Sequence, residues 1–493
     1  MSKNIDKQEM ISDASKLDNK YQKALQKFNK FPESKNSREL AFTVLYQVYV
    51  LNAFSDIAIN RTYNSSKLDE QEKSTATAFI LGTLNETFRL DNLIGKLSKT
   101  KTNKLDSRIL VILRLGLWQI YYSNQAEHAV VSETVKLCRR FGVSSATSLV
   151  NAILRNALRK FPKATFYNIE LDKYAKAGFT EELYKHFLTE LGDEDEVNKL
   201  ANFLKSSPEL NVRIRFNSSV NKSSQIKHVI NLLKKDEISS KASYFQEDSL
   251  HLDLHGKSLH QSEAWKTGLI KAQGESAMIP AIALNPIPNE KIADICAAPG
   301  GKTIQLSDLS YGQSQIIASD LQKHRIDLLN SELSRLSINN VNTRVSDAAD
   351  IEQWREYKNY FDKVLLDVPC SGLGLLQSKP ELRLTWEKSG LEDLLEIQKK
   401  IFAVASYILK PGGLMLYSTC TLNAAENSNQ VNDFLKNNPN YQLVSLRENL
   451  GATAENLLKL DPLLKQKLDE GEITLWPHRI KSEGFYLALI KKL

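Results

Sequence analysis

The sequence contains only four cysteines in 493 residues, and none of them belongs to a CxxC pair. This scarcity and irregular spacing exclude a disulfide framework and a cysteine zinc site, so we expect a cytoplasmic protein with reduced thiols. No apolar run approaches the length of a membrane span, and the N-terminus lacks the apolar segment of a signal peptide. His251, His255 and His260 stand among polar residues, which favours a solvent-facing strand and loop over metal binding. We therefore predict neither a membrane nor a metal as a partner.

Two common nucleotide-binding signatures are also missing. Gly301, Lys302 and Thr303 look like the end of a phosphate-binding loop, but that motif needs a glycine five residues before Gly301. Cys296 stands at that position. The sequence also lacks GxGxxG, the fingerprint of dinucleotide-binding domains. A bound ATP or NAD is therefore disfavoured.

Charge is unevenly distributed along the chain. The formal net charge is +7, yet residues 1–160 carry 25 Lys and Arg against 15 Asp and Glu. Within them, residues 96–160 hold 12 basic and 3 acidic side chains. A basic surface suits a polyanion such as RNA, although a solvated helical face would have the same composition. Charge alone leaves both interpretations open.

The hydrophobic pattern divides the chain into four segments. Residues 1–36 are polar and predict a flexible extension. Residues 37–160 repeat apolar positions every three or four residues, which predicts an all-α bundle. Residues 161–263 mix helical and alternating patterns, which predicts a small α/β domain that binds RNA or links its neighbours. From 264 to 493, strands alternate with amphipathic helices, which predicts a doubly wound, Rossmann-like α/β domain with ligands at the carboxyl ends of the strands.

Acidic residues close three successive strands of this last domain. Asp294 stands near the end of the first strand, before the Pro-Gly-Gly turn, and Asp320 and Asp347 end the next two strands. Asp320 is placed to accept hydrogen bonds from a ribose diol and Asp347 from an adenine amine, although each could also cap a helix. Three such acids around a glycine turn favour an adenosine-containing cofactor. Without a pyrophosphate motif, S-adenosylmethionine is the natural candidate.

Cysteines follow the fourth and fifth strands. Asp367, Pro369 and Cys370 come after the fourth strand, and Cys420 comes at the tip of the fifth, beyond a Pro-Gly-Gly turn at 411–413. Carbon-5 of a pyrimidine becomes nucleophilic enough to take a methyl group once a thiolate adds at carbon-6. A carboxylic acid near nitrogen-3 would assist that addition. The residues predict this chemistry without deciding which cysteine attacks.

A helix is expected just after Cys420. Asn423 and Glu426 have the spacing of a capping box, in which two side chains satisfy the first N–H groups of a helix. N–H groups at the start of a helix would favour the thiolate form of Cys420.

The motifs DICAAPGGKT, DVPCSGLG and LYSTCT together resemble the RNA cytosine-5 methyltransferases, over residues 264–493. The helical segment, with SLVNAILRNALRK, resembles the NusB-like RNA-binding domain. Their combination resembles the RsmB/Sun group, which methylates a cytosine in bacterial small-subunit ribosomal RNA. The resemblance implies an S-adenosylmethionine-dependent 16S rRNA (cytosine-5)-methyltransferase, with RNA as its partner and a monomeric state. A transfer-RNA cytosine-5 methyltransferase and a non-catalytic RNA-binding assembly factor are the alternatives.

The resemblance also implies roles for matching residues. Cys420 matches the nucleophile, Cys370 the cysteine that assists product release, and Asp367 the acid near the target base. Gly274 departs from the family, which tends to have aspartate there. The implied cofactor-binding residues are Cys296, Ala297, Ala298, Pro299, Gly300, Gly301, Lys302, Asp320, Asp347 and Asp367.

Overall fold

The computed structural model describes residues 23–216, 221–386 and 390–493. The chain forms two compact units: one ends at Lys185 and also takes in Lys379–Thr385, and the other comprises His186–Ser378 and Trp386–Leu493. The predicted N-terminal extension falls mostly on residues 1–22, outside the described residues, and 23–28 are helical. No helix in the described ranges is long and apolar enough to cross a membrane.

The first unit is helical from Ser37 to Lys160, which confirms the all-α prediction. Its first helix begins where the Asn36 side chain accepts hydrogen bonds from the N–H groups of Arg38 and Glu39. The apolar faces of its helices pack into one continuous core. The helices are Ser37–Leu51, Ser55–Asn64, Glu70–Asn85, Thr87–Leu97, Ser107–Tyr122, Glu127–Arg140 and Thr147–Lys160, followed along the chain by Lys173–Ala177 and Glu181–Leu191.

The segment Lys379–Thr385 belongs to the helical unit although it lies far along the chain. It includes the short helix Leu382–Thr385. Glu381 accepts a hydrogen bond from the backbone N–H of Ser55 at 2.8 Å. Arg383 is almost fully buried, and this burial lowers its pKa to about 10. Local sequence pattern does not show this placement, because the partners are more than 300 residues apart.

A small antiparallel sheet of four strands lies in the second unit, and across the sheet the strands follow the order second, third, first, fourth. Its apolar side chains pack against the helix Lys222–Lys235. The alternating segment at 210–216 predicts β1, whereas β2 and β4 are too short and polar to show a clear period. The strands are β1 (Leu210–Ile214), β2 (Ser239–Ala242), β3 (Ser249–Asp253) and β4 (Ile270–Ala272).

The main sheet has eight strands and confirms the predicted Rossmann-like class. The strands are β5 (Lys291–Asp294), β6 (Gln315–Asp320), β7 (Val341–Val345), β8 (Phe361–Asp367), β9 (Leu409–Thr419), β10 (Tyr441–Leu443), β11 (Glu472–Leu475) and β12 (Phe485–Lys492). Strands β5 to β9 run parallel, β12 is antiparallel to β9, and β10 and β11 both pair with β12. Along the sheet the order is β10-β12-β9-β8-β5-β6-β7.

The predicted turn at 411–413 lies inside β9 instead of before it. Leu409 pairs with Phe361 and Leu414 with Lys363, so four residues of β9 face one residue of β8. Gly412 has φ +79°, a conformation that glycine adopts without strain. The turn is therefore a bulge, and the strand resumes beyond it toward Cys420.

Helices cover both faces of the main sheet and bury its apolar side chains in two clusters. The predicted helices after the second strand and before the fifth are present as Lys323–Arg335 and Leu391–Ile408. The other helices of this unit are Glu194–Lys205, Glu263–Lys266, Glu275–Leu284, Gly301–Leu309, Ser428–Asn437, Arg447–Leu450, Ala452–Leu460, Leu464–Glu470 and Pro477–Ile480.

Candidate active site

The turn between β5 and the next helix occupies residues 295–300. Gly300 has φ +99°, and a Cβ there would lie 2.3 Å from Leu329 Cδ1, so only glycine fits. The helix Gly301–Leu309 follows at once and has no side-chain cap. Its first N–H groups therefore remain available to a bound anion such as a carboxylate.

The acids predicted for the next two strands lie at the same edge of the sheet. Asp320 ends β6, and its Oδ2 is 2.8 Å from Nη1 of Arg325. Asp347 lies two residues beyond β7, and its Oδ1 accepts the N–H of Ala349 at 2.8 Å. The backbone of Ser346 joins the two segments by donating to the Asp320 carbonyl at 3.1 Å.

These residues fit S-adenosylmethionine. The cofactor carries a carboxylate, which suits the uncapped helix start, and a ribose diol, which suits the buried carboxylate of Asp320. It also carries a positive sulfur, which suits the negative charges of Asp320 and Asp367; after burial, the largest cause, both charges contribute to raising the pKa of Cys296. Among the described residues no group of three or more His, Cys, Asp or Glu side chains could hold a metal ion.

Asp294 is fully buried beneath the turn. Its Oδ2 accepts the hydroxyl of Thr303 at 2.6 Å. Burial raises the pKa of Asp294 to about 7, and the charge of Asp367 acts in the same direction. The folded protein therefore holds this carboxyl group in its neutral form up to near-neutral pH.

Asp294 is expected to make the folded protein less stable as pH rises. Its pKa is 3.8 when unperturbed and about 7 when folded, so between these values only the unfolded chain releases the proton. The contribution of Asp294 to the free energy of unfolding is fully present below about pH 4 and is lost by about pH 7. The total loss is on the order of 4 kcal/mol. The melting temperature of Asp294→Asn should equal that of the wild type at pH 4 and exceed it at pH 8. An equal difference in melting temperature at both pH values would contradict this.

Asp367 lies at the end of β8 with both carboxylate oxygens engaged. Oδ1 accepts the hydroxyl of Ser418 at 2.9 Å, and Oδ2 accepts from Nζ of Lys302 at 2.7 Å. Burial, the largest single influence, would lower the pKa of Lys302, but the charge and hydrogen bond of Asp367 together with the nearby Cys420 and Asp294 outweigh it, and the pKa is raised. One ion pair thus joins the start of the helix Gly301–Leu309 to the acid at the end of β8.

Cys370 and Cys420 lie together, with their sulfur atoms 3.3 Å apart. This is longer than the roughly 2.05 Å of a disulfide, so both are free thiols. The hydrogen bond to Cys420 is the largest reason that the pKa of Cys370 is raised, and burial adds to it. Cys370 therefore keeps its proton and can donate it toward the sulfur of Cys420.

Glu426 organises the two loops that carry these cysteines, a role that the sequence did not indicate. It is fully buried. Its Oε1 accepts the N–H of Ser371 at 2.8 Å, and its Oε2 accepts the Ser371 hydroxyl at 2.5 Å and the amide of Asn423 at 3.1 Å. Gln398 donates to Oε1 at 3.3 Å and to the Pro369 carbonyl at 2.9 Å. Loss of this carboxylate would leave several buried donors without an acceptor.

The prediction that an α-helix begins just after Cys420, at a capping box, is wrong. Asn423 does accept the N–H of Ala425 at 3.2 Å, but it caps only the single 3₁₀ turn Ala424–Glu426. The next α-helix begins at Ser428. Glu426 turns toward Ser371 because the loop bearing Cys370 offers it two donors. Helical N–H groups are therefore not the source of thiolate stabilisation at Cys420.

Comparison with known families matches residues 281–491 to the 16S rRNA methyltransferases RsmB/F and residues 35–159 to the NusB family. The probable ribosomal RNA small subunit methyltransferase B of Bacillus subtilis is 26% identical over 463 residues, covering 92% of this chain and 98% of that protein. Its counterpart in Synechocystis is 28% identical and covers 93% and 99%. These matches run through both units.

One further relative and two solved structures are similar to this chain. The tRNA (cytosine(49)-C(5))-methyltransferase of Pyrococcus abyssi is 34% identical over 228 residues, covering 46% of this chain and 72% of that protein. The crystal structure of PH0851 superposes with a TM-score of 0.75 at 22% identity, covering 93% of this chain and 99% of that one. NSun6 from Pyrococcus horikoshii with SFG gives 0.52 at 21% identity, covering 64% and 99%. The two structures share the fold of this chain.

Proposed function

Because the chain belongs to the RsmB/F family of 16S rRNA methyltransferases, we propose that it methylates carbon-5 of a cytosine in small-subunit ribosomal RNA. S-adenosylmethionine supplies the methyl group as an electrophile on a positively charged sulfur. One observation carries the proposal: Cys370 and Cys420 lie with their sulfur atoms 3.3 Å apart, after neighbouring strands. A nucleophilic cysteine with a second thiol beside it suits a covalent route that has to be reversed.

The proposed role of Cys420 is to form a bond from its sulfur to carbon-6 of the cytosine. The pair of electrons from the ring double bond then moves toward carbon-5, which takes up the methyl group. Asp367 is the acid near nitrogen-3: it takes a proton from Nζ of Lys302, 2.7 Å from its Oδ2, and passes a proton to nitrogen-3, which offsets the charge that develops as the sulfur adds. Lys302 and Ser418 hold this carboxyl group in position through their hydrogen bonds.

Cys370 assists the release of the product. The carbon-5 proton has to pass to a base, such as a solvent water, before the ring double bond can re-form and expel the sulfur of Cys420. The raised pKa of Cys370 keeps a proton beside that sulfur, where it can stabilise the departing thiolate. Turnover then returns Cys420 to its free form.

The cofactor assignment rests on the turn and the acids around it. Residues 296–302 would take the methionine and ribose parts, with Asp320 on the ribose hydroxyls and Asp347 on the adenine. A structurally similar protein, NSun6 from Pyrococcus horikoshii, was solved with SFG, an S-adenosylmethionine analogue. The NusB match supports an RNA-binding role for the helical unit, and the predicted cytoplasmic location is where ribosomal RNA would be met.

Transfer RNA is the second candidate substrate. The relative from Pyrococcus abyssi is named as a tRNA (cytosine(49)-C(5))-methyltransferase and is the most identical of the proteins compared above, but it aligns with less than half of this chain. The relatives that align over more than nine tenths of this chain are named for small-subunit ribosomal RNA. This difference in coverage favours ribosomal RNA.

The test is to incubate the protein with labelled S-adenosylmethionine and unmodified 16S rRNA or transfer RNA. The RNA is digested and its methylated nucleosides are identified by mass spectrometry. We expect 5-methylcytidine from 16S rRNA. The same product from transfer RNA alone would favour the second candidate, and another methylated nucleoside would refute carbon-5. No product, together with no binding of S-adenosylmethionine by calorimetry, would leave the non-catalytic assembly factor.

A further inference from the structure

A cavity lies in the same unit as the paired cysteines. Its volume is about 360 Å³, and its lining includes Tyr244, Gly374, Gln377 and Glu483. Gly374 connects it to the reacting groups, because its N–H donates to the carbonyl oxygen of Cys420 at 2.9 Å. Gly374 therefore lines the cavity and also contacts the backbone of the proposed nucleophile.

A missing side chain makes room for an acid in the wall of the cavity. A Cβ at Gly274 would lie 1.9 Å from Oε1 of Glu483, so this carboxylate occupies space that any other residue at 274 would fill. The hydroxyl of Ser482 donates to Glu483 Oε2 at 2.8 Å and holds the group there. The cavity thus has a fixed carboxylate, a strong hydrogen-bond acceptor.

The carboxylate of Glu483 can serve more than one donor. The hydrogen bond from Ser482 leaves both of its oxygens with further acceptor positions. A ligand with two N–H groups on one edge can therefore pair with both oxygens, and the cavity favours such a ligand.

Aromatic and basic side chains complete the cavity. The ring of Tyr244 is about one third exposed. Nζ of Lys481, which also lines the cavity, lies 5.4 Å from its centroid. Nζ of Lys241 lies 5.7 Å from the centroid and is paired with Glu209. An accessible ring beside positive charges is how proteins bind unpaired bases and their phosphates.

We propose that this cavity binds an unpaired base adjacent to the target cytosine in the RNA. The inference rests on the proposed function: a base that leaves its stack to reach Cys420 exposes its neighbour as well. Tyr244 stacks on that neighbour, and the two carboxylate oxygens of Glu483 accept its N–H groups. Guanine, which offers an imino and an amino donor on one edge, fits these acceptors better than uracil does.

The test uses a hairpin of small-subunit ribosomal RNA that contains the methylated cytosine. The nucleotide on the 5′ side of the cytosine and the one on its 3′ side are varied one at a time. Each is left intact, made abasic, or changed to guanosine or uridine. RNA affinity is measured by fluorescence anisotropy, which needs no methyl transfer. Tyr244→Ala should weaken binding of the intact RNA by roughly ten-fold, Tyr244→Phe should bind as the wild type does, and neither should alter binding of one of the abasic RNAs. Tyr311→Ala, an exposed tyrosine elsewhere in the unit, is the control.

The second variant addresses base identity. The wild type should prefer guanosine to uridine at that neighbour by roughly ten-fold, and Glu483→Gln should remove most of the preference. Equal losses for intact and abasic RNA in Tyr244→Ala, or no preference in the wild type, would overturn the proposal. So would a change in affinity for S-adenosylmethionine alone, which would make the cavity a cofactor or metabolite site. A wild type that discriminates among the hairpins without forming 5-methylcytidine would refute the proposed function and leave the base site standing.

Discussion

Cys420→Ala is expected to abolish methyl transfer, whereas Cys370→Ala is expected to trap the enzyme on its RNA. Without the sulfur of Cys420 carbon-5 is not activated, and the rate should fall by at least on the order of 1,000-fold. Without Cys370 the bond to carbon-6 still forms, but its cleavage is slow. A complex of protein and RNA that survives a denaturing gel should therefore accumulate in Cys370→Ala and be absent in Cys420→Ala.

Cys138→Ala is the matched control for both variants. This cysteine is buried in the core of the helical unit, so its loss removes a thiol without touching the catalytic unit. It should methylate as the wild type does and form no lasting complex. The opposite pattern, with a trapped complex in Cys420→Ala, would exchange the two roles. A trapped complex in neither variant, with methylation intact in both, would refute the covalent route.

The pairing of the two cysteines illustrates what sequence can predict. Each follows an apolar strand, and parallel neighbouring strands bring their carboxyl ends to one edge of the sheet. That rule places Cys370 and Cys420 near each other, as the structure shows. It gives neither the separation of 3.3 Å nor which sulfur holds the proton. Those depend on side-chain conformations that residues far apart in sequence impose.

Glu426 shows where local pattern misleads. Its spacing from Asn423 suggests a helix cap, because capping boxes are recognised over four residues. Its strongest contacts are instead with Ser371, 55 residues earlier. The buried donors of that loop compete for the carboxylate, and tertiary packing decides the outcome. The buried position of Glu381 beside Ser55 has the same origin.

The strands likewise divide into those that the sequence predicts and those that only tertiary pairing explains. Five strands of the main sheet, β5, β6, β8, β9 and β12, have apolar runs that the sequence shows, because a strand buried within a covered sheet needs apolar residues on both faces. The edge strand β7 is polar and partly exposed. The strands β2 and β4 are short and partly exposed, and they exist through pairing with β3 and β1. Pairing of this kind has no signature in composition. The bulge in β9 likewise follows from the neighbouring strand.

Asp367→Asn is expected to lower kcat by about 100- to 10,000-fold, the usual range for losing a general acid or base. Asparagine has nearly the same shape and can still accept from Lys302, so the loop should keep its position. Asp362→Asn, at the other end of the same strand, is the control, because its side chain bonds Lys291 and Lys410 instead. It should lower stability and leave kcat unchanged.

The measurement that separates catalysis from cofactor binding is calorimetric titration of each variant with S-adenosylmethionine. If Asp367 acts as the acid near the base, Asp367→Asn should bind the cofactor within a few-fold of the wild type while kcat collapses. Lys302→Met should add little to the loss of kcat caused by Asp367→Asn, because in the chemical step the lysine acts through the carboxyl group that it holds. A loss of cofactor affinity as large as the loss of kcat would instead make Asp367 a cofactor ligand alone, and the proton at nitrogen-3 would have to come from another group.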